Sequence, residues 1–134
     1  MPSISNKFLK FALVGGCVFV VDYSIFYILV NLSQVPVIPA RAIAFVIALL
    51  LSWFANRHFT FKDRNHKPAL RQLGHFAITS SVSGLLNLGS FSLLSAYIPN
   101  TQLGLAFCFA MGVGVGMVGN WLASNLWVYR SVNH

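Results

Sequence analysis

Charge of either sign is scarce in this sequence, and acidic charge is nearly absent. Only two of its 134 residues are Asp or Glu, and charged residues make up 8% of the chain. A soluble domain carries about a quarter charged residues, so this composition cannot build a water-exposed surface. With 57% hydrophobic residues, the sequence predicts an integral membrane protein, with residues 1–134 forming a single small domain.

Groups that could carry catalysis or bind a metal are also few. The two cysteines, Cys17 and Cys108, lie in apolar segments without the histidine or cysteine neighbours of a metal site. There are no paired carboxylates, no Ser-His-Asp arrangement and no phosphate-cradling loop. We therefore expect no enzyme, no catalytic residue, no metal and no cofactor. The histidines that lack metal-ligand spacing are His58, His66, His75 and His134.

Glycines cluster near the end of the chain. Gly114-x-Gly116-x-x-Gly119 matches a dinucleotide-binding fingerprint, but no strand precedes it and the segment is apolar. Gly112-x-x-x-Gly116 instead predicts close contact between helices, either within one protomer or between protomers.

Long apolar runs are abundant. A helix needs about 20 apolar residues to cross roughly 30 Å of hydrocarbon. Four segments qualify, at residues 9–32, 40–59, 73–98 and 103–129. The first is too long for the core of a signal peptide, so we expect it to be retained as a helix. The predicted fold class is all-α integral membrane, with four transmembrane helices.

Basic residues are distributed unequally between the helix ends. The net charge is +7, and Arg41 is the only basic residue at one side of the predicted membrane. By the positive-inside rule, both termini and the basic connector at 57–72 are cytoplasmic. This charge attracts anionic lipids, and we do not expect nucleic-acid binding. The basic residues at the predicted inner side are Lys7, Lys10, Arg57, Lys62, Arg64, Lys67, Arg71 and Arg130.

The sequence also predicts an internal repeat, with halves at about 8–62 and 73–130. An offset of 65 aligns Phe11 with Phe76 and Asp22 with Asn87. An offset of 68 aligns Asn56 with Ser124 and residues 59–62 with residues 127–130. Since each half contains two helices, the halves are expected to run in the same direction, as a parallel repeat.

Asp22 is the costliest residue in the predicted spans. It lies roughly 16 Å deep, counted at 1.5 Å per residue from the inner boundary. A carboxylate there costs about 2.5–3.5 kcal/mol even on insertion scales. We predict an intramembrane polar groove formed by Asp22, Asn87, Ser83 and Asn120. A purely structural role for Asp22, and close helix packing for the polar stripe around Asn87, are the alternatives.

Basic residues near a helix end can hold the phosphate of a lipid head group, at about 1 kcal/mol each. We predict lipid-phosphate binding by Arg57, Lys62 and Asn56 at the inner face. Arg41 is predicted to serve the same phosphate at the other face. Asp22 is about 13 Å deeper than Arg41, so contact between the two is left open.

Three segments resemble the GtrA-like family of small four-helix membrane proteins. They are Phe11-Ala-Leu-Val-Gly-Gly followed by Val21-Asp22 and Phe26, then Ser-Trp-Phe-Ala-Asn-Arg-His-Phe-Thr-Phe-Lys at 52–62, and Asn-Trp-Leu-Ala-Ser-Asn-Leu-Trp-Val-Tyr-Arg at 120–130. The resemblance covers nearly the whole chain. It carries over Asp22, Asn56, Arg57 and residues 59–62. The closing segment has Ser124-Asn125 where Asn56-Arg57 stand, which argues against equivalent binding by both halves.

The resemblance implies that the protein flips a polyprenyl-phosphate-linked monosaccharide, such as an undecaprenyl-phosphate sugar, across the bacterial inner membrane for surface polysaccharide synthesis. It implies glycosyltransferase partners on the cytoplasmic and periplasmic sides. Because four helices make a thin wall for a polar path, we also expect a homo-oligomer. Two alternatives stay open: a membrane scaffold that recruits a glycosyltransferase, and a small proton-coupled multidrug transporter. The strong charge bias disfavours the second alternative.

Overall fold

A computed structural model describes residues 3–64 and 67–130, so His66 and His134 lie outside the described residues. The described chain is helical throughout its regular structure. The α-helices are α1 (Ile4–Tyr27), α2 (Val37–Ala55), α3 (Ala69–Ser95) and α4 (Gln102–Ala123). Five-residue π-helical turns extend α1, α2 and α4, at Ile28–Leu32, Asn56–Thr60 and Ser124–Val128.

These helices confirm the four predicted membrane spans. With the π-helical turns included, they are Ile4–Leu32, Val37–Thr60, Ala69–Ser95 and Gln102–Val128, each long and apolar enough to cross a bilayer. The chain is therefore a multi-pass membrane protein. All four helices begin before their apolar runs, and two of them, α1 and α4, begin directly after a residue whose side chain caps the helix. Ser3 accepts from the Asn6 amide at 3.3 Å, and Thr101 accepts from the Gly104 amide at 3.0 Å.

The chain divides into two compact units, Met1–Arg64 and Asn65–His134, here called the N-terminal and C-terminal units. In the N-terminal unit, α1 packs against α2. The residues of α2 buried in the unit are the small residues Ala40, Ala44 and Ala48. Their spacing of four residues gives one narrow stripe, which lets two helix backbones approach closely without hydrogen bonds between polar side chains.

In the C-terminal unit, α3 packs against α4 along a comparable stripe of small residues, Cys108, Gly112 and Gly116. A Cβ added at Gly116 would lie 2.9 Å from the carbonyl oxygen of Ser83 and 2.9 Å from the Cβ of Asn87. The α3 backbone thus occupies the space of the missing side chain. The predicted Gly-x-x-x-Gly contact is confirmed, and it lies within the protomer.

The π-helical turns at the ends of α2 and α4 orient a buried aromatic ring. The Phe61 amide donates to the Asn56 carbonyl, and the Tyr129 amide donates to the Ser124 carbonyl, both at 2.9 Å. Each turn is wider than an α-helical turn, and it is followed by a ring that is at most 1% exposed. Phe61 meets Phe11 edge-on at 6.5 Å, and Tyr129 meets Phe76 edge-on at 6.2 Å.

Candidate functional site

A basic pocket lies at the end of the N-terminal unit where α1 begins and α2 ends. It has a volume of about 420 Å³ and is open to the surface. The π-helical turn after α2 contributes His58 and Phe59, and Lys62 follows directly. Lys10 comes from α1, one turn before the apolar Leu13 and Val14. The residues lining this basic pocket are Lys10, Leu13, Val14, His58, Phe59 and Lys62.

The basic pocket combines cationic groups with apolar walls. Lys10 and Lys62 are both exposed, so their ammonium groups stay hydrated and can meet an anion. Nδ1 of His58 lies 2.8 Å from the Phe54 carbonyl, which can only accept, so this nitrogen donates and fixes the ring. Two ammonium groups above aliphatic and aromatic side chains suit an amphipathic ligand that carries a phosphate.

The predicted phosphate ligands at this end are placed differently from one another. Lys62 lines the basic pocket, whereas Asn56 and Arg57 are not among its lining residues. Asn56 is 1% exposed; its amide nitrogen lies 3.4 Å from Ser52 Oγ, and its oxygen accepts from Thr60 Oγ1 at 2.8 Å. The guanidinium of Arg57 lies 5.7 Å from the centre of the Trp53 ring, a cation–π distance. The hydrogen bonds of Asn56 with Ser52 and Thr60 stabilise the π-helical turn from within.

An ion pair joins the two helix ends beside the basic pocket. Nζ of Lys7 lies 2.7 Å from Oδ2 of Asp63, and the two side chains are 7% and 21% exposed. Burial raises the pKa of Asp63, but the hydrogen bond from Lys7, the local backbone and the charges of Lys7 and Arg64 together lower that pKa below its usual value. Burial also lowers the pKa of Arg64, against the opposing effect of Asp63, and its guanidinium lies over the Phe61 ring. The first part of the basic connector is thus anchored within the N-terminal unit.

A second ion pair lies near the other end of the same unit. Nη1 of Arg41 lies 2.7 Å from Oδ1 of Asp22, and the side chains are 52% and 15% exposed. The contact that sequence left open is therefore formed. The estimate of about 13 Å measures backbone depth alone, and the long flexible stem of Arg41 covers part of that depth. The guanidinium also lies 5.9 Å from the centre of the Phe26 ring.

Arg41 also lines a pocket of about 410 Å³ on the surface of α2. The other lining residues are apolar, and all of them belong to the first part of the helix: Val37, Ile38, Ala42 and Phe45. We call this the Arg41 pocket. Arg41 and His58 are 17 residues apart on one continuous helical span, which separates the Arg41 pocket from the basic pocket by about 26 Å.

The other predicted groove residues belong to the C-terminal unit, whereas Asp22 belongs to the N-terminal unit. Ser83 is 7% exposed and lies on the face of α3 that meets Gly116. A Cβ added at Gly112 would lie 2.7 Å from Oδ1 of Asn87, so that side chain is packed against α4. Oδ1 of Asn120 lies 3.5 Å from Oγ of Ser124. Within this unit, Ser83 and Asn87 lie at the close contact of α3 with α4, and the polar groove stays a prediction.

Lys67 contacts the π-helical turn that ends the last span of the C-terminal unit. Its Nζ donates to the Trp127 carbonyl at 2.6 Å and lies 3.4 Å from Nδ1 of His75. The His75 ring stacks on the Trp127 ring at 4.2 Å. Burial, then the charges of Arg71 and Arg130, lower the pKa of Lys67. A cation at a helix C-terminus satisfies a carbonyl that would otherwise lack a partner in the helix, so we assign Lys67 a structural role.

No group of three or more His, Cys, Asp or Glu residues that could hold a metal occurs within residues 3–64 and 67–130. Cys17 and Cys108 are free thiols. Both are in α-helices of the membrane spans. The basic pocket and the Arg41 pocket present Lys10, Lys62 and Arg41, and each of these cations is suited to an anion.

Four helices that are long and apolar enough to cross a bilayer define a small integral membrane protein, and the basic pocket and the Arg41 pocket lie near opposite ends of one span. The family model described as "GtrA/DPMS, transmembrane domain" matches residues 10–131. The chain belongs to this family, as the resemblance in sequence predicted. Membership supports a membrane function related to polyprenyl-phosphate sugars.

Proposed function

We propose that the protein flips a polyprenyl-phosphate-linked monosaccharide across the bacterial inner membrane, for synthesis or modification of surface polysaccharide. The observation that carries this proposal is the basic pocket, which is lined by two lysines and by apolar side chains at the end of a membrane span. A polyprenyl-phosphate sugar needs cationic groups for its phosphate and an apolar surface beside them for its first isoprene units. The family membership supports the same class of cargo.

In this proposal the cargo first binds from the cytoplasmic leaflet. Lys10 and Lys62 hold the phosphate, while Phe59, Leu13 and Val14 contact the first isoprene units. The positive-inside rule supports a cytoplasmic position for this end, because eight basic residues of the sequence are expected there, against Arg41 alone at the other end, and the unequal count favours one orientation over two. Both termini are then cytoplasmic. Arg57, held over Trp53, adds positive potential near the same helix end without lining the basic pocket.

The tail does not need a protein-lined path. A polyprenyl chain is as apolar as the bilayer and can stay in lipid while the sugar and phosphate cross. The many large apolar side chains exposed on all four helices fit such lipid contact. Transport then requires only polar groups at intermediate depth, for which Asp22 is the candidate in the N-terminal unit. The protein forms and breaks no covalent bond in this account, so we propose that it is not an enzyme.

We also propose that the chain consists of two related two-helix units. Supporting this, Phe11–Phe61 and Phe76–Tyr129 are edge-on ring pairs that coincide at offsets of 65 and 68. The small-residue stripes coincide at the offset of 68 as well, since Ala44 corresponds to Gly112 and Ala48 to Gly116. Function has diverged between the units, because Lys10 and Lys62 correspond to His75 and Arg130.

We expect the partners to be a cytoplasmic and a periplasmic glycosyltransferase, together with further copies of this chain in a homo-oligomer.

The test is binding and transfer of a polyprenyl-phosphate sugar by the purified protein in liposomes. Lys10→Gln/Lys62→Gln should weaken binding about 30-fold, because each lysine contributes about 1 kcal/mol toward an anionic head group. Transfer at low cargo should fall in proportion. The matched control is Arg71→Gln/Arg130→Gln, which removes the same charge from residues outside the basic pocket and should leave binding within about twofold.

Equal losses in the two double variants would mean that net charge, not the basic pocket, attracts the cargo. If the wild-type protein transfers no cargo while its deletion mislocalises a glycosyltransferase in cells, the scaffold function replaces the proposed one.

A further inference from the structure

We propose that Arg41 is a second lipid-phosphate site, and that the carboxylate of Asp22 competes with the phosphate for it. The Arg41 pocket would receive the head group at the end of the span opposite to the basic pocket, and the arriving phosphate would displace Asp22 from the guanidinium. This inference rests on the proposed function for the identity of the lipid. It adds Arg41 as the residue that holds the phosphate at the far leaflet. It also adds Asp22 as the internal anion that displaces the phosphate and so restores the ion pair.

The position of Arg41 suits a phosphate held at the membrane surface. Its side chain is 52% exposed, whereas that of Asp22 is 15% exposed. The structure records one ion-pair contact between them, from Nη1, and a guanidinium has five N–H donors. A phosphate with two oxygens directed at the fork is a better partner than a single carboxylate contact. The apolar Val37, Ile38 and Phe45 beside it provide contact for the adjoining isoprene units.

The spacing of the two pockets matches the two leaflets. Arg41 and His58 are about 26 Å apart along one helical span, close to the roughly 30 Å thickness of the hydrocarbon. A lipid phosphate bound at either pocket would lie near its own head-group layer. One helix pair thus offers a binding site to each leaflet. A flipped lipid needs both.

Under the proposed correspondence of the two units, the ion pair is not a requirement of this helix pairing. At the same offsets, Asp22 corresponds to Asn87 and Arg41 to Phe109, so both charges are missing together. Asn87 packs against Gly112 instead, and the helices still approach closely. A charged pair costs free energy within a membrane, so its presence in only one unit indicates a use beyond folding.

Competition predicts opposite effects of the two partners on affinity, which a structural ion pair does not. The binding of a polyprenyl phosphate is measured in nanodiscs by native mass spectrometry, with Lys10→Gln/Lys62→Gln as the background so that the Arg41 pocket is observed alone. Adding Asp22→Asn should raise affinity at least fivefold, the lower end of a typical coupling between sites. Adding Arg41→Gln should lower binding to the residual level of the basic pocket without its lysines, and the two changes together should match Arg41→Gln.

Unchanged or weaker binding in Asp22→Asn would overturn the competition, as would full binding in Arg41→Gln. Inorganic phosphate is the second probe; if it binds as tightly as the lipid, the site takes free phosphate and the lipid assignment is wrong. If Asp22→Asn does not elute as a single folded species, Asp22→Ser provides the same neutral state. A protein that transfers no cargo yet shows the gain in Asp22→Asn retains this site and loses the proposed function.

Discussion

The close approach of α3 and α4 can be tested with two glycines on the same helix. A Cβ at Gly116 would lie 2.9 Å from Ser83 O and 2.9 Å from Asn87 Cβ, whereas a Cβ at Gly114 meets nothing within 4 Å. Ordinary contact begins at 3.4 Å, so Gly116→Ala requires α3 to shift by about 0.5 Å (3.4 minus 2.9). Both contacted atoms are on or next to the α3 backbone, and a rotamer change cannot relieve them.

Overpacking of this kind costs about 1–3 kcal/mol. Replacing glycine by alanine also favours the helix, by up to about 1 kcal/mol, but this gain is common to both variants. Gly116→Ala should therefore be less stable than Gly114→Ala by about 1–3 kcal/mol. Reversible unfolding in mixed micelles, followed by helicity, measures the difference. Equal stability of the two alanine variants would refute the packing of α3 on α4 described above.

Two further stability predictions follow from the Lys7–Asp63 ion pair and from the hydrogen bond of Lys67 to the Trp127 carbonyl. Asp63→Asn should lower the free energy of unfolding by about 1.5–3 kcal/mol, since it leaves the Lys7 ammonium 7% exposed without its carboxylate. Because the pKa of Asp63 is lowered in the folded state, its contribution is present above about pH 3.9, the unfolded-state value, and is lost as the pH falls through the folded pKa. Acid titration of unfolding should show this loss in wild type and not in Asp63→Asn. Lys67→Met should destabilise the last helical turn by about 1 kcal/mol, because the Trp127 carbonyl loses its donor. Faster hydrogen exchange confined to residues 124–129 would show it, and unchanged exchange there would contradict the capping role.

The spans and much of the packing were predictable from sequence. Hydropathy identified four helices, because a bilayer needs about 20 apolar residues per crossing. The offsets of 65 and 68 aligned Phe11 with Phe76 and Phe61 with Tyr129, and these four residues form equivalent ring pairs. Aromatic residues that recur at a fixed spacing can be recognised from the sequence alone. Their pairing follows from two antiparallel helices.

The side-chain environments of the polar residues were not predictable in the same way. Asn56 stands next to Arg57 in the sequence and was predicted to bind a lipid phosphate with it, whereas in the structure Asn56 is 1% exposed and hydrogen-bonded to Thr60. A π-helical turn has no reliable sequence pattern, although the matching positions in the two units were a usable signal. From the sequence, Lys10 was counted only as one of the basic residues that set the orientation. His58 was noted only as a histidine without metal-ligand spacing. Their meeting with Lys62 depends on how α1 and α2 pack.

Movement of a polyprenyl-phosphate sugar between leaflets by this protein alone is the core of the proposed function. It is tested most directly by reconstituting the purified chain in liposomes that carry the sugar lipid in one leaflet, and by measuring how much becomes accessible to a sugar-oxidising reagent on the other side. Transfer should scale with protein content and should fall at low cargo in Lys10→Gln/Lys62→Gln. Transfer no faster than in protein-free liposomes would contradict it.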